Sequence, residues 1–180
     1  RIMRGASDGT LSSGAELPFL TDGFSDLAVG DFDNNGYDDL AVLRGAGYKT
    51  DSVVIFYQSP TGFTTVTLSP ETGGFLPHSL AAGDINGDGR DDLVVTAGGN
   101  KPRAYLNVYL QTDDGLVAQP ALASHHQPGP VTIGDMNHDG RDDIVVLHGS
   151  WRTLSIYRQE VDGTLAAPDM TTLPYSSHYF

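Results

Sequence analysis

GDFDNNGYDDLAVL (Gly30–Leu43), GDINGDGRDDLVVT (Gly83–Thr96) and GDMNHDGRDDIVVL (Gly134–Leu147) are three copies of one acidic turn, each running into a short apolar segment. Their first aspartates, Asp31, Asp84 and Asp135, lie 53 and 51 residues apart. A fixed period near fifty residues implies a repeat architecture. Oxygen-bearing side chains at alternate positions of a Gly-containing turn suit a hard cation, calcium first.

Working outward, each unit reads in the same order. A short run ends in Gly-Asp (FSDLAVGD, HSLAAGD, GPVTIGD), and the acidic turn follows. After the turn come the apolar runs Leu40–Leu43, Leu93–Thr96 and Ile144–Leu147; unbroken apolar character, with consecutive β-branched residues in the last two, suits a strand buried on both faces. Gly-rich connections lead to alternating segments at Ser52, Tyr105 and Thr153, then a Gly-containing turn and a weaker final run. Four short strand-like segments per unit, without helical periodicity, predict a four-stranded antiparallel sheet. Such sheets repeated radially make a β-propeller; a β-helix is the rival, but its repeats are shorter.

The fold class expected is therefore all-β, with three complete blades at about 24–70, 78–123 and 130–173 in a single segment, 1–180. Residues 8–20 resemble the last strand of a preceding blade, because DGTLSSGAELPF matches VDGTLAAPDMTTLP further on. Residues 175–180 read as the start of a following one. Propellers close with about four to eight blades. Two expectations stay open: further blades of a longer parent chain, or several copies completing one ring as a homo-oligomer.

Ten basic against 23 acidic residues give a net charge of −13, and the three turns hold 12 of the acids. Like charges so concentrated repel unless a cation lies among them; three calcium ions would bring the charge to −7. No basic patch supports nucleic-acid binding. No apolar stretch is long enough to insert into a membrane. There is no cysteine, which excludes disulfides, thiolate metal sites and cysteine nucleophiles. No signal-like segment follows Arg1, as expected of a mature form or a piece of a longer protein.

Numbered from its first aspartate, each turn places Asp or Asn at positions 1, 3, 5 and 9, with the position 7 backbone carbonyl as a fifth donor. The candidate metal ligands are Asp31, Asp33, Asn35, the Tyr37 carbonyl and Asp39 in the first turn. In the second they are Asp84, Asn86, Asp88, the Arg90 carbonyl and Asp92, and in the third Asp135, Asn137, Asp139, the Arg141 carbonyl and Asp143. Gly36, Gly89 and Gly140 at position 6 allow the chain to wrap an ion. Three carboxylates and an amide suit Ca²⁺, about one ion per turn, and not zinc. The EF-hand pattern fails at position 12, where Val42, Val95 and Val146 replace the glutamate. Asx-rich clusters also form turns with no ion, but three copies in register favour binding. Asp38, Asp91 and Asp142 at position 8 are expected to point away from the ion, in a supporting or solvent-facing role.

The period and the G-D-x-[DN]-x-[DN]-G-x-x-D-[LI] turn resemble the FG-GAP/VCBS repeat family, the calcium-binding blades of integrin α-subunit propellers and many secreted bacterial proteins. That resemblance covers nearly all the chain. It implies that Asp31, Asp33, Asn35, Asp39 and their counterparts hold metal. It also implies a secreted or cell-surface scaffold for adhesion, binding a protein or, lectin-like, a glycan. The Phe-Gly and Gly-Ala-Pro segments that name the family are faint, with RGAG and AGG in the place of the latter.

No enzyme is expected. G-x-S-x-G and H-E-x-x-H are absent, and the dense aspartate pairs are already taken by the cation reading. The alternatives are an accessory propeller of a secreted carbohydrate-active enzyme and a ring self-assembled from several chains. His125-His126, with His138 nearby, read as solvent-exposed loop histidines. Tyr48, Lys101–Arg103 and Trp151 fall in the connections after the second strand of each unit, where an aromatic can stack on a sugar or shield a seam between blades.

Overall fold

The computed structural model describes residues 3–14, 24–44 and 52–174. Tyr48, residues 175–180 and part of the stretch 8–20 lie outside them. Apart from one 3-10 turn at Gly149–Trp151, the regular elements among the described residues are strands. Strands β1 (Met3–Gly5) and β2 (Leu11–Ser13) pair as a hairpin. The first complete sheet runs in sequence order through β3 (Phe24–Gly30), β4 (Asp39–Arg44), β5 (Ser52–Ser59) and β6 (Gly62–Leu68). The second has β7 (Pro77–Gly83), β8 (Asp92–Gly98), β9 (Ala104–Thr112) and β10 (Gly115–Ala118), with β11 (Leu122–Ala123) also on β9. The third has β12 (Pro128–Gly134), β13 (Asp143–His148), β14 (Thr153–Tyr157) and β15 (Asp169–Thr172). These are antiparallel β-propeller blades. The fourth strands of the last two blades are broken where Pro120 and Pro168 cannot donate to the ladder.

All three acidic turns join first to second strands in one register. Gly30 pairs with Asp39, Gly83 with Asp92 and Gly134 with Asp143. The innermost strands β3, β7 and β12 lie side by side, so the blades stack face to face.

That stacking explains the unbroken apolar runs. Successive side chains of a strand point to opposite faces. In β4, Ala41 and Leu43 turn toward the second blade, while Val42 joins Val54 and Phe56 on the other face. In β8, Leu93 and Val95 meet the first blade and Val94 meets the third. A third strand expected to alternate does so only in β14; β5 is buried at each of Ser52–Phe56, and much of β9 is buried on both faces. The reason is tertiary: β9 lies between the first and third blades, and in β5 Val54 and Phe56 pack with Val42, Leu40 and Phe63 on the face away from the second blade. Each large apolar side chain fully buried in a seam contributes about 1.5–3 kcal/mol.

Candidate metal centre

Each acidic turn is built around two carboxylates that organise backbone N–H groups. The position 9 aspartates, Asp39, Asp92 and Asp143, are wholly buried. Asp39 accepts from Phe32 N at 2.9 Å and Gln58 N at 2.6 Å. Asp92 accepts from Ile85 N at 3.1 Å and Gln111 N at 2.8 Å, and Asp143 from Met136 N at 3.3 Å and Gln159 N at 3.1 Å. One side chain thus ties the turn to the third strand of its own blade. The position 1 aspartates gather the tip: Asp31 takes Asn35 N and Gly36 N, Asp84 takes Gly87 N, Asp88 N and Gly89 N, and Asp135 takes Asp139 N and Gly140 N.

The tip needs left-handed backbone twice. Position 6 is Gly36, Gly89 or Gly140, at φ 84, 82 and 82. Position 4 is Asn34, Gly87 or His138, at φ 56, 79 and 62. Glycine occupies such angles freely, and Asn and His are enriched there among other residues. Position 4 thus carries a second local signal, a tolerance for left-handed backbone shared by Asn34, Gly87 and His138.

In the first turn, carboxylate oxygens of Asp31, Asp33 and Asp39 all lie within 4.8 Å of one another. Three acids at that separation ask for a counter-charge. Burial first, and the charges of Asp33 and Asp31 among lesser causes, push Asp39 up to about 6 against the hydrogen bonds it accepts. Burial pushes Asp92 up to about 7, with Asp88 and Asp84 adding to it. Asn35 Oδ1 accepts from Tyr37 N, and its amide donates to Gln58 O.

The second and third turns differ. Asn86 donates to Asp88 and Asn137 to Asp139, at 3.1 and 2.8 Å. Arg90 pairs outward with Asp113, whereas Arg141 pairs with Asp139, and Arg158 lies 3.8 Å from Asp143. The first turn therefore brings its carboxylates closest together, and the third carries cationic side chains of its own. The donor set in all three, carboxylate, amide and carbonyl oxygen, fits a hard dication.

Of the position 8 aspartates, Asp91 does turn from its own loop, but to a protein group: its Oδ2 accepts the Asp31 N–H of the preceding blade at 2.9 Å.

At the opposite end of the blades the structure corrects the histidine reading. His125 and His126 are half-buried, and they meet His148 and Trp151, not His138, which sits at position 4 of the third turn. The His125 and His148 ring centres are 5.2 Å apart, and His126 stacks on Trp151 at 4.7 Å and 25°. His148 is fully buried, with Nε2 2.8 Å from Ser155 Oγ; it comes from the end of β13, directly after the apolar run Ile144–Leu147, and meets His125 only through packing. Lys101 and Arg103 are exposed beside an open groove of about 820 Å³ that Phe75, His78, Gln127 and Pro130 also line.

The model of the FG-GAP-like repeat matches residues 31–95 and 84–146, spanning two successive turns each time. Integrin alpha pat-2 of Caenorhabditis briggsae is 30% identical over 145 residues, taking in 66% of this chain and 12% of that protein. Integrin alpha-PS5 of Drosophila melanogaster is 30% identical over 133 residues, 61% of this chain and 13% of that protein. The chain thus spans about an eighth of the length of these relatives. No helix among the described residues is long and apolar enough to cross a membrane.

Proposed function

Since the chain belongs to the FG-GAP-like repeat family, we propose that it is a non-catalytic, calcium-binding part of an adhesion propeller. The observation that carries the reading is the triplet Asp31, Asp33 and Asp39, with carboxylate oxygens drawn to within 4.8 Å in a loop repeated twice more in register. Asp31, Asp33, Asn35, Asp39 and the Tyr37 carbonyl would hold the first ion. Asp84, Asn86, Asp88, Asp92 and the Arg90 carbonyl would hold the second, and Asp135, Asn137, Asp139, Asp143 and the Arg141 carbonyl the third. A bound dication supplies counter-charge and fixes the hairpin; it does no chemistry. The chain's own part is to keep position 9 buried and aimed inward through two backbone N–H bonds.

The setting is a secreted or cell-surface protein, where calcium is abundant. Relatedness to integrin α subunits supports a protein ligand before a glycan. The groove beside Lys101 and Arg103, at the end away from the acidic turns, is where the ligand would sit. Ring closure by further blades or by a second copy accompanies this reading.

Thermal melting in calcium and in excess chelator tests it. A site held at a hundred times its Kd gains about 2.7 kcal/mol, and for a chain of this size each kcal/mol moves Tm by roughly 2–4 °C. The expected drop on chelation is therefore at least about 5 °C. Superimposable melts in the two buffers would remove the cation reading.

A further inference from the structure

The second blade grips the first blade's turn through its backbone. Asp91 accepts the position 1 N–H, that of Asp31. The Gln111 side chain is only 2% exposed; with its amide O and N assigned so that both find complementary partners, it donates to the Asp31 carbonyl at 3.2 Å and accepts from the position 4 N–H, that of Asn34, at 2.8 Å. The position 2 side chain, Phe32, is fully buried among Leu80, Leu93, Val95 and Tyr109 of the second blade. The loop therefore takes half its shape from a neighbour some sixty to eighty residues later.

The next seam repeats the device. Gln159 of the third blade places Nε2 3.5 Å from the Asp84 carbonyl. Ile85, at position 2, is buried among Ile144, Val146 and Tyr157. Asp142 reaches Gly83, where a Cβ would come within 3.4 Å of its Oδ2. The Asn86 carbonyl lies so close to Gly163 that a Cβ there would sit 2.5 Å from it. Two elements differ. Asp142 meets the turn at Gly83 and not through the position 1 N–H, and Gln159 Oε1 is buried without a partner, while the position 4 N–H beside it, that of Gly87, donates to Asp84 Oδ1 at 2.7 Å. A carboxylate engaged by a cation accepts fewer N–H bonds. That would free the Gly87 N–H for Gln159, the counterpart of the Asn34–Gln111 bond of the first seam. In the third turn, Met136 at position 2 is 51% exposed, the state of a turn with no following blade among the described residues.

We infer that Asp91 with Gln111, and Asp142 with Gln159, are positioning residues for the cation of the preceding blade, so that ion occupancy and the docking of the next blade form one linked equilibrium. The inference rests on the acidic turns being cation sites. A loop ordered in advance binds with less ordering cost, and linkage makes the effect reciprocal: the ion strengthens the seam by the factor with which the seam strengthens the ion.

Tb³⁺ in place of calcium, bound to the full chain, tests it. Only the first turn has an aromatic at position 7, Tyr37 against Arg90 and Arg141, so Tyr-sensitised Tb³⁺ emission reports that turn; a Tyr37→Phe control identifies its share. The Asp91→Asn, Gln111→Leu double variant is expected to weaken the Tyr37-sensitised affinity about tenfold, within the usual range of coupling between sites. Asp142→Asn with Gln159→Leu is expected to leave that emission unchanged and to weaken a different site in calorimetric titration. The milder Asp91→Ala variant, melted with and without calcium, separates the linkage from plain destabilisation. Linkage shrinks the calcium-dependent part of Tm, whereas a purely structural role lowers both Tm values equally and overturns the inference. Wild-type affinity in a folded double variant overturns it too. Absence of Tb³⁺ uptake by the wild type removes the cation reading itself, and the inference with it.

Discussion

The two ends of each blade are built under opposite rules. At the end of the acidic turns, the same residue types stand at the same register in three blades, and one buried aspartate per blade does the same two jobs. At the other end the second and third blades, whose connections are among the described residues, differ. The second blade offers Lys101 and Arg103, and the third Trp151 stacked on His126, with His148 buried behind. What repeats is what every blade needs in order to hold its neighbour. What varies is free to be specialised for a partner. An acidic, constrained end stands against a more basic, aromatic, irregular end, and on the function proposed above the first would serve stability and the second recognition.

If that division is right, substitutions should separate by end. The largest effect is expected at the centre of the repeated end. Asp92→Ala leaves the N–H groups of Ile85 and Gln111 without an acceptor in a buried site, at a cost of about 3 kcal/mol. Urea denaturation in calcium measures it, and a loss below about 1 kcal/mol would count against the constrained end.

Next comes acid sensitivity at the irregular end. Burial first, then the neighbouring His125, pushes His148 from 6.5 down to about 4. Ser155, His126 and Lys101 also act on it, and among the described residues no carboxylate does. The unfolded chain then takes up a proton before the folded one as pH falls. The contribution from a neutral His148 is intact above about pH 6.5 and drains away between 6.5 and 4. The loss should be roughly 2 kcal/mol over that range. His148→Gln, which can keep a bond to Ser155, should flatten the slope; an unchanged slope assigns the acid sensitivity elsewhere.

The smallest stability effect is expected at Lys101→Ala and Arg103→Ala, exposed side chains whose removal should stay within about 0.5 kcal/mol. Their place beside the groove makes them the ones to assay for ligand capture, where the same double change should reduce binding of whichever protein or glycan the calcium-loaded chain retains. A large loss of stability with no loss of binding would reverse the comparison.

The same division governs how much could be read from the sequence. The turns, their period and the apolar run that follows are local patterns, so the propeller fold and the candidate ligands were visible at once. Position 4 was visible too: Asn34, Gly87 and His138 share a tolerance for left-handed backbone, not a chemical type. Gln58, Gln111 and Gln159 end their strand segments in all three repeats, yet nothing local says that the last two reach into the preceding blade. Asp91 likewise meets a partner sixty residues earlier. Such contacts arise from stacking, and stacking on both faces also defeated the expected alternation of β9. The aromatic cluster was least legible, because His148 joins His125 through a contact between blades that no local pattern announces.

The matched seams have one more consequence. The face that the third blade turns to the second (Ile144, Val146, Tyr157, with Asp142 and Gln159) is a near copy of the face that the second turns to the first (Leu93, Val95, Tyr109, with Asp91 and Gln111). Excision of the middle unit would therefore bring together surfaces already cut to fit. A gene encoding such a chain can lengthen or shorten by whole units through unequal recombination and still yield joints of the right shape, whereas a break at any other phase would set unlike edges together.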